Sequence, residues 1–366
     1  MGSVGSPSAL PTFLFRARRP GRENPLNGPE RFFDPWCPNM PRIARKFIEN
    51  AIYLYPSTEA AKEGHAAGGT GFIIGVPLPS HQNVVTTFAI AARHTVWTHG
   101  ASVVRVNAVG GGVDVFDLDP VEWEIHPDGD DVAIAAIDLC SNKHIFTYLP
   151  LSDLATRQNV ASCSIGLGDE VFMVGRFVNC DGELTNVPSV RFGHLSMLPI
   201  KIEIEPGHIQ ESFAVEMLSK PGYSGSPVFV YEDSWNSETG IYSINSGNDH
   251  VVRLLGLNWG YITDDAEVKE KAVVAALSSC GPSVKYVPQN TGMNGVVPAW
   301  KIVDLLEVPA VKDRVSKADK AETERKRHKR GGVELASTTN AANEKRFKQT
   351  VGTLLRTPPK PHKDTK

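Results

Sequence analysis

The chain has 366 residues, of which 41% are hydrophobic and 22% charged, and its 38 basic and 41 acidic residues leave a formal net charge of −3. This length allows one large two-lobed domain or two separate domains, and the composition excludes a wholly disordered chain and a collagen-like fibre. No apolar run approaches the roughly 20 residues that a membrane-spanning helix requires, so the sequence predicts a soluble protein that does not enter a membrane.

The charge is divided unevenly along the chain. Residues 1–46 hold 8 basic and 3 acidic residues and residues 311–366 hold 16 and 7, whereas residues 47–310 hold 14 and 31. Because the central region is acidic, nucleic acid is not expected to bind the folded part of the chain. The basic run Arg325–Arg330 leaves two interpretations of the C-terminal tail open: a solvated flexible segment, or a segment that contacts nucleic acid.

The cysteines and the N-terminus indicate the cellular compartment. The five cysteines are widely spaced, odd in number and without a Cys-x-x-Cys pair, so the sequence predicts neither a disulfide framework nor a zinc site. The N-terminal arginines follow a short apolar stretch instead of preceding it, which is the wrong order for a secretory signal. We therefore expect a reducing, cytoplasmic location, with the nucleus open if the source is eukaryotic.

Residues 1–46 are rich in proline, glycine and arginine and are expected to form an irregular basic arm. From residue 52, short β-branched runs bounded by turn residues predict strands. The first group comprises Ile52–Tyr55, Gly71–Val76, Val84–Ala91, Val103–Val106, Val113–Phe116, Val121–Ile125 and Val132–Leu139. The second group comprises Glu170–Phe177, Ser189–Ser196, Phe213–Leu218, Pro227–Tyr231, Leu254–Ile262 and Gly295–Pro298.

Two groups of about six short strands predict an all-β fold with two tandem antiparallel six-stranded barrels. The barrels occupy about residues 50–150 and 160–308 of a folded domain that spans residues 47–310. Apolar residues at helical spacing predict helices at Ala266–Ser279 and Ala299–Leu306. Residues 311–366 lose aromatic residues and periodicity, so we expect a disordered or loosely helical tail there.

Three segments carry candidate catalytic side chains. His94 ends a hydrophobic strand, Asp131 opens another, and Ser224 lies in a glycine-rich turn directly before a third. A serine hydroxyl attacks a carbonyl carbon only if a base removes its proton, and a histidine suits that role because its unperturbed pKa lies at roughly 6.5. A carboxylate then orients the imidazole and stabilises its cation.

The glycines around Ser224 predict an oxyanion hole made by the amides of Gly222 and Ser224. Each catalytic candidate also has an ordinary structural explanation, such as a turn cap for Asp131 or turn chemistry for the serine segment. The order His, Asp, Ser, divided between the two strand groups, favours catalysis over those explanations. No cofactor or metal is expected, because the histidines lack ligand spacing and Gly69–Gly71 leads into a strand, unlike a dinucleotide cradle.

Six segments together resemble the trypsin-like, chymotrypsin-fold serine peptidases, in particular their disulfide-free bacterial and HtrA-like branch. The resemblance covers about residues 50–308. Its segments are Gly69–Ile74, Ala92–His94, Asp131–Ile134, Gly222–Pro227, Gly256–Gly260 and Gly295–Pro298.

The resemblance implies a serine endopeptidase that works through an acyl-enzyme, with Ser224 as nucleophile, His94 as general base and acid, and Asp131 orienting His94. It places substrate-binding positions at Leu218, the base of the specificity pocket, and at Asn258, Trp259, Gly260 and Gly295. A leucine at the pocket base implies cleavage after an apolar residue.

Tyr223 stands where secreted relatives have the aspartate that captures a new N-terminus, so the resemblance does not imply activation by N-terminal cleavage. The alternative function is a catalytically silent protease-fold module. Such a module would bind partner proteins through its acidic body or nucleic acid through its basic tail.

Overall fold

The computed structural model describes residues 43–178, 184–205, 207–232, 235–236, 241–242, 251–268 and 285–328. Within these ranges the chain forms two β lobes with few helices, as predicted. No helix in them is both long and apolar enough to cross a membrane. The predicted N-terminal arm lies outside the described residues up to residue 42, and so does the predicted tail beyond residue 328.

The first lobe follows a short helix, α1 (Arg45–Ile48), and contains the helix α2 (Thr58–Glu63). Its strands are β1 (Ala51–Tyr55), β2 (Gly69–Leu78), β3 (His81–Ala91), β4 (Val103–Ala108), β5 (Val113–Phe116), β6 (Glu124–Ile125), β7 (Ala133–Ala136), β8 (His144–Ile145) and β9 (Leu149–Pro150). They pair in the order β5-β4-β1-β2-β3-β7-β6, with β8 on β4 and β9 parallel to β2.

The first lobe therefore differs in detail from the predicted six-stranded antiparallel barrel. Among the described residues it is a nine-stranded sheet in which β5 and β6 end the main path, so hydrogen bonds do not close it into a barrel. The edge strands are short: β6 has only 2 residues. The first two residues of the predicted strand Val121–Ile125 belong instead to a 3₁₀ turn, Pro120–Glu122, which starts with a capping box at Asp119.

The second lobe confirms the barrel prediction. A short helix, α3 (Arg157–Ala161), precedes the strands β10 (Glu170–Gly175), β11 (Ser189–Glu205), β12 (His208–Glu216), β13 (Pro227–Glu232), β14 (Trp235–Asn236), β15 (Ile241–Tyr242), β16 (Val251–Val268) and β17 (Lys285–Pro298). Six of them close a barrel in the order β10-β11-β12-β17-β16-β13, and β14 pairs only with β15.

The strands β16 and β17 run further than the sequence predicts. Their pairing continues to Val268 opposite Lys285, so residues 266–268 are strand where the helix Ala266–Ser279 was predicted. Cross-strand backbone hydrogen bonds outweigh the helical spacing of the apolar side chains at these positions. Residues 269–279 of that predicted helix lie outside the described residues.

A hydrophobic core joins the two lobes. Phe47, which precedes β1, contacts Phe172 and Phe229 of the second barrel with ring centroids 5.5 and 4.7 Å away. Phe72 and Ile90 of the first lobe belong to the same buried cluster. Each fully buried side chain of this size contributes about 1.5–3 kcal/mol to stability, so the core holds the lobes together as well as filling them.

Two helices follow the second barrel. The predicted closing helix is present as α4 (Ala299–Leu305), and a further helix, α5, begins at residue 309 and is described to residue 328. The α5 carboxylate of Asp319 accepts hydrogen bonds from the amide and the hydroxyl of Ser80, at 2.9 and 2.7 Å, and Arg314 pairs with Asp138 at 2.7 Å. Of the two alternatives expected for the tail, disordered or loosely helical, residues 311–328 are helical, and side chains of this helix contact the first lobe.

An ion pair links α3, β12 and α4. Arg157 donates two hydrogen bonds to the Glu211 carboxylate, each 2.7 Å long, and the indole nitrogen of Trp300 donates a third at 3.2 Å. The hydrogen bonds from Arg157 lower the pKa of Glu211 against the opposing effect of burial, and the bond from Trp300 lowers it further.

We expect Glu211→Gln to reduce the free energy of unfolding at pH 7 by about 0.5–1 kcal/mol, since Arg157 is largely exposed and the pair is screened by water. A carboxylate whose pKa is lowered on folding stabilises the protein above its unfolded pKa of about 4.3, and this contribution is lost as the pH falls through the lower folded pKa. Urea unfolding should therefore show a difference between wild type and variant that shrinks in acid. The exposed Glu216→Gln on the same strand is the control, and a difference that grows in acid would contradict the assignment.

Candidate active site

One cavity of about 240 Å³ brings side chains from both lobes together. All three predicted catalytic residues line it. Its lining residues are Arg93, His94, Asp131, Ile204, Ser219, Lys220, Pro221, Ser224, Asn258, Trp259, Gly260 and Tyr261.

His94 and Asp131 form a tight pair between neighbouring strands of the first lobe. β3 ends just before His94 and β7 begins just after Asp131, and the two strands pair antiparallel, which brings the residues side by side. Asp131 Oδ2 lies 2.6 Å from His94 Nδ1, and Oδ1 accepts a 2.8 Å hydrogen bond from the His94 amide. The Asp131 carboxylate is buried, whereas a fifth of the His94 side chain remains exposed. This geometry orients the imidazole so that Nε2 is its free nitrogen.

Ser224 is half-buried in the same cavity, in the turn before β13. Within the described part of the chain its hydroxyl forms no hydrogen bond with His94, whereas the Thr95 hydroxyl lies 3.5 Å from Nε2. Catalytic hydrogen bonds are often long in unliganded enzymes and shorten when substrate binds. The structure therefore brings the serine to the histidine's cavity without joining the two side chains.

The turn around Ser224 has a backbone that requires glycine. Gly222 and Gly225 have φ angles of +101° and +84°, in the left-handed region that other residues rarely adopt. The amides of Gly222 and Ser224, predicted to form the oxyanion hole, donate no hydrogen bond among the described residues. These two amides in one tight turn can therefore donate hydrogen bonds to a negatively charged oxygen.

Thr70 of β2 holds this turn from the opposite lobe. Its amide donates to the Ser224 carbonyl at 2.9 Å, and its hydroxyl donates to the Gly222 carbonyl, also at 2.9 Å. The hydroxyl oxygen in turn accepts a 3.0 Å hydrogen bond from the Arg176 amide. In the sequence, Thr70 stands only in the Gly69–Ile74 segment of the resemblance, next to the predicted strand Gly71–Val76. Nothing in the local pattern indicates its contact with a residue 152 positions away.

The predicted substrate-binding segment on β16 forms one wall of the cavity. Asn258, Trp259 and Gly260 line it, and the Asn258 carbonyl accepts a 2.8 Å hydrogen bond from the Gly225 amide. Gly295 does not line the cavity. A Cβ at that position would lie 2.1 Å from the Trp259 ring, so the indole covers this glycine.

Leu218, the predicted base of the specificity pocket, does not line the cavity, and 59% of its side chain is exposed. The neighbouring Ser219 lines the cavity instead and is buried. Neighbouring residues after β12 face opposite sides of the chain, so the position implied by the resemblance is exposed and the next one is buried. The inference of an apolar cleavage site loses its basis with Leu218.

One group of side chains among the described residues has metal-ligating chemistry. His126, Asp128 and Asp130 each offer one ligand atom, and these atoms lie within 4.8 Å of one another. However, Lys301 Nζ lies 2.7 Å from Asp130 and 3.5 Å from Asp128. The ammonium group already neutralises the carboxylates that a cation would need, so this cluster fits an ion-pair network better than a metal centre.

No protein-family model matches the chain, and no curated protein matches its sequence. Solved structures similar to it include the MamO protease domain from Magnetospirillum magneticum in its apo form, at 16% identity and a TM-score of 0.42, covering 72% of this chain and 98% of that one. The Rv3671c protease of M. tuberculosis H37Rv, in an inactive form, has 14% identity, a TM-score of 0.37 and coverages of 71% and 88%. The HtrA-type protease AlgW with a decapeptide has 13% identity, a TM-score of 0.38 and coverages of 73% and 66%. Each of these neighbours carries the word protease in its name.

Proposed function

We propose that this protein is a serine endopeptidase that hydrolyses peptide bonds in polypeptide substrates. The observation that carries the proposal is the doubly hydrogen-bonded pair of His94 and Asp131 in a cavity that also holds Ser224. A buried carboxylate that fixes an imidazole beside a serine is the arrangement that activates a hydroxyl for attack on a carbonyl.

In this mechanism the Ser224 oxygen attacks the carbonyl carbon of the scissile bond as His94 Nε2 removes the hydroxyl proton. The carbonyl oxygen becomes an anion, which the amides of Gly222 and Ser224 stabilise. His94 then gives the proton to the leaving amine, and the C–N bond breaks to leave an ester on Ser224. Water, deprotonated by His94, hydrolyses that ester and restores the serine.

The second candidate function is a protease-fold binding module without hydrolytic activity. The observation in its favour is the missing hydrogen bond between Ser224 and His94, together with the Thr95 hydroxyl near Nε2. The two candidates differ in one chemical property. An enzyme's serine is nucleophilic at neutral pH, whereas an unactivated serine is not.

We expect wild-type protein to react covalently with a fluorophosphonate probe and Ser224→Ala not to react. Gel fluorescence after labelling, with mass spectrometry of the labelled peptide, measures this. Ser196→Ala, a serine of β11 outside the cavity, is the control and should label like wild type. Equal labelling of Ser224→Ala would reject Ser224 as the nucleophile, and no labelling of wild type would reject the peptidase in favour of the binding module.

A further inference from the structure

Arg93, the residue before His94, has no partner in the cavity that it lines. Its side chain is half-buried, and its Nε atom is withdrawn from solvent without a hydrogen-bond acceptor. Within the described part of the chain no carboxylate pairs with its guanidinium group. A charged donor buried without a hydrogen-bond acceptor raises the free energy of the free protein. A ligand that supplies the acceptor removes this cost and therefore binds more tightly.

The other charges of the cavity favour an anionic ligand. Lys220 also lines the cavity and is exposed, with its Nζ 5.9 Å from the centroid of the Phe177 ring. The lining residue with a carboxylate is Asp131, and both of its oxygens are engaged by His94. The cavity wall therefore presents two cations and no available anion, although residues 47–310 as a whole are acidic. The cavity is therefore expected to attract anions, whereas the acidic region around it is expected to attract cations.

We propose that Arg93, supported by Lys220, binds a carboxylate of the substrate, so that the site selects peptides with an acidic group close to the scissile bond. This inference rests on the proposed peptidase function. A planar guanidinium group matches a carboxylate with two parallel hydrogen bonds, and such charge-assisted bonds are stronger than neutral ones. Arg93 adjoins His94 in the chain, so the carboxylate that it holds lies near the reacting carbonyl.

The carboxylate has two sources in a peptide, the side chain of Asp or Glu and the free C-terminus. A binding experiment separates them without relying on hydrolysis. Full-length Ser224→Ala is titrated with short neutral peptides that carry an uncharged fluorophore, and fluorescence anisotropy gives the Kd. In the first series each peptide carries a single Glu at a different position, and each is compared with a peptide that has Gln at that position. In the second series free and amidated C-termini are compared.

We expect one Glu position, or the free C-terminus, to bind about 10-fold more tightly than its neutral partner at low salt. Adding Arg93→Gln should reduce this preference to within about 2-fold. Arg93→Lys keeps the charge but loses the planar fork, so it should retain an intermediate preference and shows that the site still folds. Lys62→Gln on α2, outside the cavity, is the control for a general loss of positive charge.

Equal binding of acidic and neutral peptides by Ser224→Ala overturns the proposal, as does an undiminished preference after Arg93→Gln. An absence of binding by every peptide overturns it as well. A preference that depends on Arg93, combined with wild-type protein that neither labels nor cleaves, supports carboxylate binding and rejects only the peptidase function. The same peptides therefore separate failure of this inference from failure of the proposed function.

Discussion

Asp131→Asn is expected to lower the rate of fluorophosphonate labelling, and of peptide hydrolysis, by about 10⁴-fold. Asp131 accepts hydrogen bonds with both oxygens, from the His94 amide and from Nδ1. An asparagine has one acceptor and one donor at these positions, so when its oxygen accepts from the amide, its NH₂ group faces Nδ1. The imidazole must then carry its proton on Nε2, where it can no longer take the proton of Ser224.

Stopped-flow or gel-based labelling rates measure this effect, and circular dichroism checks that the variant is folded. Asp128→Asn provides a matched control three residues away, because the Asp128 carboxylate is largely exposed and contacts Lys301 at 3.5 Å. We expect it to change the rate by less than about 2-fold, since surface ion pairs contribute little. If Asp131→Asn labels as fast as wild type, Asp131 does not orient the base.

Gly225→Ala is expected to be the most destabilising single-methyl substitution in the catalytic turn. The left-handed backbone alone costs an alanine roughly 1–2 kcal/mol. The added Cβ would also lie 2.0 Å from the Thr70 carbonyl oxygen and 3.2 Å from the Ala92 amide nitrogen, both of which are backbone atoms. We therefore expect a total loss of roughly 3 kcal/mol or more in the free energy of unfolding, together with loss of probe labelling.

Gly112→Ala separates the two causes. Gly112 lies between β4 and β5 with a φ angle of +77°, and no atom lies within 4 Å of the position that its Cβ would take. It should therefore lose only the roughly 1–2 kcal/mol of backbone strain and keep its labelling. Urea unfolding midpoints of the two variants measure the difference. Equal losses would show that the turn has room for a side chain and that its close approach to Thr70 is not essential.

Local patterns predicted the parts of the site that depend on neighbouring residues. His94 and Asp131 adjoin strands whose β-branched and alanine-rich runs are recognisable, and antiparallel pairing of those strands is enough to bring the two side chains together. The glycines around Ser224 likewise indicate left-handed backbone conformations, which depend on the residues of the turn itself. The sequence therefore predicted most strand positions and the proximity of His94 and Asp131.

Features that depend on residues far apart in the sequence could not be predicted from it. Whether β16 continues past its predicted end depends on its partner strand, and the side of the chain on which Leu218 lies depends on a turn geometry that spacing does not encode. Arg93 appears in the sequence only as the middle residue of the Ala92–His94 segment. Its significance lies in the absence of a partner within the described chain, which no linear pattern can express.

The contacts of Thr70 have a consequence for how activity could be controlled. One residue of the first lobe holds the carbonyls of Gly222 and Ser224 in the second by hydrogen bonds. In the proposed peptidase these bonds would fix the direction of the Gly222 and Ser224 amides. A ligand that separates the lobes at their interface is therefore expected to lower that activity without entering the cavity.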